Sequence, residues 1–182
     1  MLLCKDILDE KNKILRTKSK EVTFPLSDKD KETIDSMIEY LRNSQIDELA
    51  EKYSLRPGMG MAAIQLGIPK RYFTVVYEKE KGQFDTYVVI NPTIVASSSE
   101  KIYVEDGEGC LSVNRPTEGI VPRSARVTVE WYDVDGNKVR FRVREEVSIA
   151  FQHEIDHLDG ILFIDRIDKK NPFKNANKYR AI

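Results

Sequence analysis

The segment from Glu146 to Gly160 restricts the fold more than any other part of this sequence. Gly160 is typical of a residue that ends a helix. Both histidines of the chain, His153 and His157, lie in this segment, four residues apart. A helix therefore places the two imidazoles on one face, about one turn from each other. The apolar residues recur with the period of a helix that buries one face: Val147, Ala150, Phe151, Ile155 and Leu158.

Two imidazoles at this spacing can bind one metal ion. Glu154, next to the first histidine, can reach a water molecule on such an ion and act as a general base without being a ligand. The same sequence pattern also occurs by chance in proteins that bind no metal. We favour the metal site because both available histidines have the ligand spacing on a helix whose opposite face is apolar.

A catalytic metal site of this type needs a third protein ligand and one open position. One group of zinc peptidases places a third histidine after the helix, but Phe163 occupies that position here. Another group uses a distant downstream glutamate, and no acidic residue follows Asp168. We therefore expect an upstream ligand, and Cys110, in the sequence Glu-Gly-Cys-Leu-Ser, is the best candidate. A lone cysteine is more often a small buried residue, but the neighbouring glycines allow an exposed, tightly turned backbone.

Residues 58–65 combine glycines with small apolar residues. Their G-x-G-x-x-A pattern matches the dinucleotide-binding fingerprint in its alanine variant, which requires a preceding strand. A helical stretch and Arg56-Pro57 precede it here, so we reject that interpretation. We predict instead a loop that an extended substrate can approach, with the side-chain amide of Gln65 pointing into the site. A flexible surface loop is the alternative, and it is less consistent with so many small apolar residues.

Helical patterns on both sides of the central region predict the remaining helices. Ser27 followed by Asp30 resembles a capping box, and apolar residues at helical spacing follow it, which predicts a helix from Asp28 to Arg42. Residues 46–53 predict a second, short helix, and Met61 to Leu66 predict a further helical turn. Together with the histidine-containing helix, these elements flank a central β region.

The middle of the chain predicts β structure. Four segments rich in Val, Tyr and Ile predict strands, at 72–78, 86–91, 127–132 and 139–143. The last two alternate apolar with polar residues around Asp135-Gly136, which favours a hairpin. After the histidine-containing helix, Ile161–Ile164 predicts a short apolar strand. The basic tail beyond Asp168 predicts a solvated, mobile end.

Composition limits the classes of function. A chain of 182 residues without repeats or linkers predicts one domain over residues 1–182. With 29 basic and 30 acidic residues the formal net charge is −1, so we expect no specific DNA binding and no attraction to a membrane surface. No apolar run approaches the roughly 20 residues that cross a bilayer. Two cysteines cannot build a disulfide scaffold, so we expect a cytoplasmic protein with reduced thiols.

Three segments together resemble the peptide deformylase family. Its signature is Gly-x-Gly-x-Ala-Ala-x-Gln, then Glu-Gly-Cys-Leu-Ser, then His-Glu-x-Asp-His, and the chain has these at 58–65, 108–112 and 153–157. Ser112–Arg115 and the apolar Ile161–Ile164 are similar to the Gram-positive and mycoplasma-like type of the family. The resemblance implies an α+β fold, with antiparallel β-sheets around a central helix that carries the His-Glu-x-x-His motif.

The resemblance also implies an activity, the hydrolysis of the N-formyl group from the initiator methionine of new polypeptides, with release of formate. Cys110, His153 and His157 would hold one divalent ion, normally Fe²⁺ in this family, which Ni²⁺, Co²⁺ or Zn²⁺ can replace. The metal-bound water would lose a proton to Glu154, and the resulting hydroxide would attack the formyl carbon. Glu154 would then protonate the leaving amine.

Other residues of the resemblance would contact the substrate. Gln65 and the backbone N–H of Leu111 would stabilise the oxyanion. Gly60 and Gly109 would pair with the backbone of the nascent peptide as an added strand. Two residues would line the pocket for the methionine side chain, with ordinary core packing as the alternative: Met59 and Ile149.

Two other functions stay open. The first is a different kind of metallopeptidase, which the missing downstream ligand disfavours. The second is a structural or sensory metal site, but structural zinc sites usually have four protein ligands, and Cys4 is the only other cysteine or histidine. An electron-transfer copper site would not explain Glu154. The expected partners are formylated nascent polypeptides, and the basic tail is a candidate for a transient contact with the ribosome.

Overall fold

The computed structural model describes all 182 residues. Its larger sheet has five antiparallel strands in the order β1-β2-β3-β6-β7, and a smaller sheet has the order β5-β4-β8. The strands are β1 Gly60–Ala62, β2 Tyr72–Glu80, β3 Gln83–Ser97, β4 Lys101–Tyr103, β5 Arg123–Ser124, β6 Arg126–Tyr132, β7 Lys138–Arg144 and β8 Arg180–Ala181. The α-helices are α1 Asp28–Ser44, α2 Asp47–Tyr53 and α3 Glu145–Leu158. Five short 3₁₀ helices are Cys4–Asp6, Lys13–Arg16, Ala63–Leu66, Phe163–Asp165 and Ala176–Lys178.

The predicted α+β class is confirmed, and so are the main helices. The Ser27 hydroxyl accepts a hydrogen bond from the Asp30 N–H, so it caps α1 as the sequence predicts. The helix with both histidines, α3, ends just before Gly160, whose φ of +75° suits glycine at this position. No helix of the chain combines the length and the apolar character that a membrane crossing would require.

Two layers of helix enclose the larger sheet and create two cores. On one face, Met37, Tyr40 and Leu41 of α1 are fully buried against the first three strands. On the other face, Phe151 of α3 packs edge to face on Phe73, with ring centroids 5.3 Å apart. Because β6 and β7 continue this second core, the apolar face of α3 packs against the sheet, which fixes the position of the helix that carries both histidines.

The strand predictions are correct in position but short for β3. This strand runs over 15 residues instead of the predicted six because its first half pairs with β2 and its second half with β6. Register irregularities near Asn91–Thr93 bend the strand between these two partners. The exposed second half lacks the apolar alternation that marks a strand in sequence. The predicted hairpin of β6 and β7 is confirmed.

Three local predictions are wrong. Met61 and Ala62 are not helical, because they pair with β2 in strand β1, and the helical turn begins only at Ala63. Residues 161–164 form no strand, because the N–H of Leu162 donates to the carboxylate of Asp165 at 2.8 Å and the chain turns into a 3₁₀ helix.

The basic tail is also not a free solvated end. Its residues 180–181 pair in parallel with β4 of the smaller sheet. Arg180 forms ion pairs with Glu100 and with Glu145 at the start of α3. The sequence gives no local sign of this docking, because the acidic partners of Arg180 lie far away along the chain.

Candidate active site

The three predicted metal ligands come together at one point. The ligand atoms of Cys110, His153 and His157 all lie within 4.8 Å of one another. Cys110, in the loop between β4 and β5, has its Sγ atom 3.2 Å from Nε2 of His157. One thiolate and two imidazoles form a donor set that suits Fe²⁺, Co²⁺, Ni²⁺ or Zn²⁺. The geometry and the chemistry of this cluster therefore fit a divalent metal ion.

The surroundings of the two imidazoles also fit metal binding. The Nδ1–H of His153 donates to Glu108 Oε2 at 2.8 Å, which fixes the ring and leaves Nε2 for a ligand. Burial lowers the pKa of His157 well below its usual range, so this ring is neutral, as a ligand must be. For His153, burial lowers the pKa, but hydrogen bonds to Cys110 and Glu108 outweigh it and raise the pKa well above its usual value.

A buried charge network that the sequence analysis missed supports this cluster. Arg123 is only 3% exposed and donates to both carboxylate oxygens of Glu108, at 2.7 and 2.9 Å. It also donates to Asp156 at 2.6 Å, and Arg166 pairs with the same Asp156. Burial raises the pKa of Glu108, but the hydrogen bonds from Arg123 and His153 outweigh it and lower the pKa to about 2. The Glu108 carboxylate therefore stays ionised while it accepts the hydrogen bond from His153.

Glu154 lies beside the ligands with its carboxylate in an unusual environment. The residue is 3% exposed, and its Oε2 atom has no hydrogen-bond partner. Burial raises the pKa of this carboxyl to about 7. A carboxyl group with a pKa near neutrality can both accept and release a proton, which is the property of a general acid–base.

Gln65 and Leu111 lie next to Cys110. The Gln65 side chain is buried, with Oε1 accepting from the Ala62 N–H at 2.9 Å and Nε2 donating to Ser112 Oγ at 3.0 Å. Its Nε2 atom is 3.8 Å from Cys110 Sγ, so the amide lies beside the ligand cluster. The backbone N–H of Leu111 donates no hydrogen bond within the chain and is free for an acceptor from outside.

A cleft of about 530 Å³ opens onto these groups. It is lined by Cys110, His153 and Glu154, and by all four residues predicted to contact the substrate: Met59, Gly60, Gly109 and Ile149. Gly60 belongs to β1, which ends the larger sheet and leaves one edge without a partner strand. An extended peptide can pair with such an edge. Arg56, Val104 and Glu146 also line the cleft and carry no motif that would have identified them.

Replacing Gly60 with alanine is expected to destabilise the site. A Cβ atom there would lie only 2.9 Å from Cγ and Cδ of Glu154, so the buried carboxylate would have to move. Overpacking of this kind costs about 1–3 kcal/mol, measurable as the free energy of unfolding in urea. Gly109→Ala is the matched control, because a Cβ atom there meets nothing within 4 Å. Equal stability of the two variants would contradict the prediction.

Comparison with known proteins identifies the family to which a chain with this site belongs. The family model described as polypeptide deformylase matches residues 4–173, nearly the whole chain. The chain belongs to the peptide deformylase family. Membership identifies it as an enzyme, a hydrolase that removes the N-formyl group from nascent peptides.

Individual peptide deformylases match over almost their full length. The chain is 49% identical to the peptide deformylase of Shouchella clausii, covering 96% of each sequence. It is 44% identical to peptide deformylase 2 of Bacillus subtilis, covering 100% of this chain and 99% of that one. Both organisms are Gram-positive, in agreement with the predicted type.

Solved structures of the family agree with the fold. The crystal structure of the Thermotoga maritima peptide deformylase has a TM-score of 0.69 at 33% identity, covering 89% of this chain and 96% of that one. A structure of the Acinetobacter baumannii enzyme with Met-Ala-Ser bound has a TM-score of 0.71 at 28% identity, covering 88% and 96%. The helix with the His-Glu-x-x-His motif and the antiparallel sheets are thus features of a known peptide deformylase architecture.

Proposed function

We propose that this chain removes the formyl group from formyl-methionyl polypeptides with one divalent ion held by Cys110, His153 and His157. The observation that carries the proposal is the meeting of these three ligand atoms within 4.8 Å beside the cleft that Glu154 lines. A bound divalent ion would supply Lewis acidity, which lowers the pKa of water and polarises a carbonyl group. Fe²⁺ is the ion we expect in the cell, with Ni²⁺, Co²⁺ and Zn²⁺ as substitutes.

Glu154 would move the proton during the reaction. As the water oxygen bonds to the formyl carbon, the unpartnered Oε2 atom takes a proton from the water. When the carbon–nitrogen bond breaks, the same oxygen gives this proton to the leaving nitrogen. The products are formate and a free amino terminus, and Glu154 returns to its ionised form. The raised pKa of about 7 supports both directions of transfer.

Two donors would stabilise the charge that develops on the formyl oxygen. The free N–H of Leu111 and the amide of Gln65 both lie next to Cys110. Gln65 is oriented for this role because its Oε1 atom is fixed by the Ala62 N–H. Removing one donor of this kind typically costs ~10²–10³ in rate.

The substrate would lie as an extended strand in the cleft. We propose that its backbone pairs along Gly60 and Gly109, and that Met59 and Ile149 contact the methionine side chain. The relative crystallised with Met-Ala-Ser supports a short methionyl peptide as the occupant. We place this reaction in the cytoplasm, where polypeptides are made. A ribosome contact through the tail stays a prediction, now with residues 180–181 docked on β4.

Metal removal and restoration test this function. We expect the anaerobically purified chain to release formate from formyl-Met-Ala-Ser and none from acetyl-Met-Ala-Ser. Chelation should abolish release, and Fe²⁺ should restore it. Cys110→Ala should no longer retain the metal, because two imidazoles alone provide too few ligands.

Two results would contradict the proposal. A metal-loaded chain that releases no formate would favour a structural or sensory site. If Cys110→Ala bound the metal with undiminished affinity, Cys110 would be excluded as the third ligand. Because metal content and formate release are measured on the same samples, the two failures can be told apart.

A further inference from the structure

One face of the larger sheet is covered over only part of its width. The contacts of α1 with this sheet are concentrated on β1, β2 and β3. On β6 and β7 the buried pairs, such as Val127 with Val143, face α3 on the opposite side. The alternate residues of these two strands therefore point to the side of α1, beyond the area that α1 covers.

The uncovered area is strongly cationic. The register places Arg126 opposite Arg144, Thr128 opposite Arg142, Glu130 opposite Arg140, and Tyr132 opposite Lys138. Four of these basic residues alternate along the edge strand β7. Since residues two apart in a strand are about 6.7 Å apart, the four charges form a line of roughly 20 Å. We refer to Arg126, Lys138, Arg140, Arg142 and Arg144 as the cationic track.

Acidic neighbours neutralise only part of this track. Glu130 forms ion pairs with Lys138 and Arg140, and Glu100 pairs with Arg126. Arg142 and Arg144 are exposed, and neither forms an ion pair. A chain with a formal net charge of −1 thus concentrates unpaired positive charge at one end of one strand.

We propose that the cationic track binds the phosphate backbone of single-stranded RNA. A line of charges matches a chain of phosphates better than a single small anion. Tyr132, on the same face, packs against Phe24 with ring centroids 5.5 Å apart and stays 37% exposed, so this aromatic pair offers a surface against which a base can pack. We name RNA as the polyanion because the substrates of this enzyme, nascent peptides, are made on the ribosome, which contains RNA. The proposal adds a partner at a surface separate from the catalytic cleft.

Edge strands often carry basic residues for a different reason, since charge opposes pairing with a second chain. That role requires no affinity for RNA. Arg126, on the interior strand β6, already has a structural role in its ion pair with Glu100, so the exposed Arg142 and Arg144 carry the distinction. Binding measurements therefore separate the two explanations.

The test measures binding of a fluorescein-labelled, mixed-sequence RNA oligonucleotide by anisotropy between about 50 and 200 mM salt. The metal-loaded enzyme should bind with an affinity that falls steeply with salt. Because each single-strand phosphate contact contributes about 0.7 to the slope of log affinity against log salt, R142A/R144A should reduce the slope by about 1.4. The control K29A/K31A removes the same charge from exposed positions of α1 and should leave the slope unchanged.

Formate release should be the same in all three proteins, so that a failed catalytic proposal and a failed RNA proposal are distinguishable. Several outcomes would overturn the RNA proposal. The first is an equal slope of log affinity against log salt for R142A/R144A and K29A/K31A. The second is competition by polyglutamate that is as effective as competition by unlabelled RNA. The third is binding to anionic phosphatidylglycerol vesicles without binding to RNA.

Discussion

Replacing Glu154 with glutamine is expected to lower the rate of formate release by ~10²–10⁴-fold, the usual contribution of a general acid–base. The amide has nearly the shape of the carboxylate, so the packing against Gly60 is kept. It cannot take a proton from water or give one to the leaving nitrogen. Metal content should stay equal to that of the unmodified chain, since Glu154 is not one of the three clustered ligands.

The measurement is the turnover of formyl-Met-Ala-Ser, with the metal content determined on the same sample. Glu48→Gln removes an exposed carboxylate on α2 and serves as the matched control, with full activity expected. A Glu154→Gln enzyme within a few-fold of full activity would rule out Glu154 as the proton carrier. Loss of metal along with activity would instead assign it a role in holding the ion.

Replacing Arg123 with methionine is expected to reduce the free energy of unfolding by about 3–5 kcal/mol. The buried carboxylates of Glu108 and Asp156 would lose the cation between them, and Glu108 would keep only its bond to His153. Leaving buried charge uncompensated costs far more than losing a pair at the surface. Because Glu108 orients a ligand, metal affinity should also fall by roughly 10–100-fold.

Urea unfolding and metal titration measure these two effects. Arg115→Met is the control, because Arg115 pairs with Glu10 at the surface, where such a pair contributes about 0–1 kcal/mol. Arg123→Lys keeps the charge without the bidentate geometry. Its free energy of unfolding should lie between those of Arg123→Met and Arg115→Met. If Arg123→Met unfolds at the same urea concentration as Arg115→Met, the buried network does not stabilise the fold as argued.

The sequence was informative where a pattern is local. The helical period of α3 and the spacing of its histidines could be read directly, and the lack of a downstream ligand pointed upstream to Cys110. Arg123 could not be found in this way, because it meets Glu108 and Asp156 only in the folded chain, at separations of 15 and 33 residues. Two acids beside predicted ligands do require a counter-charge, but nothing local says which arginine supplies it.

The errors in the fold have a similar origin. Residues 161–164 have the composition of a buried strand and are partly buried, yet no neighbouring strand offers them a partner. Conversely, residues 180–181 have no strand character and pair because β4 offers a free edge. Pairing partners are a property of the whole fold, so short segments of either kind cannot be assigned from composition.

The two glycines that face the cleft differ in how much freedom they leave to evolution. At Gly60 the backbone lies against the Glu154 carboxylate, so a larger residue there would displace the reactive group. At Gly109 a methyl group would project into open space. An inhibitor that fills the cleft could therefore select for resistance at Gly109, where the enzyme narrows the entrance without disturbing its own core. Compounds that contact Gly60 would instead meet a position at which a substitution displaces the Glu154 carboxylate and lowers the stability of the enzyme.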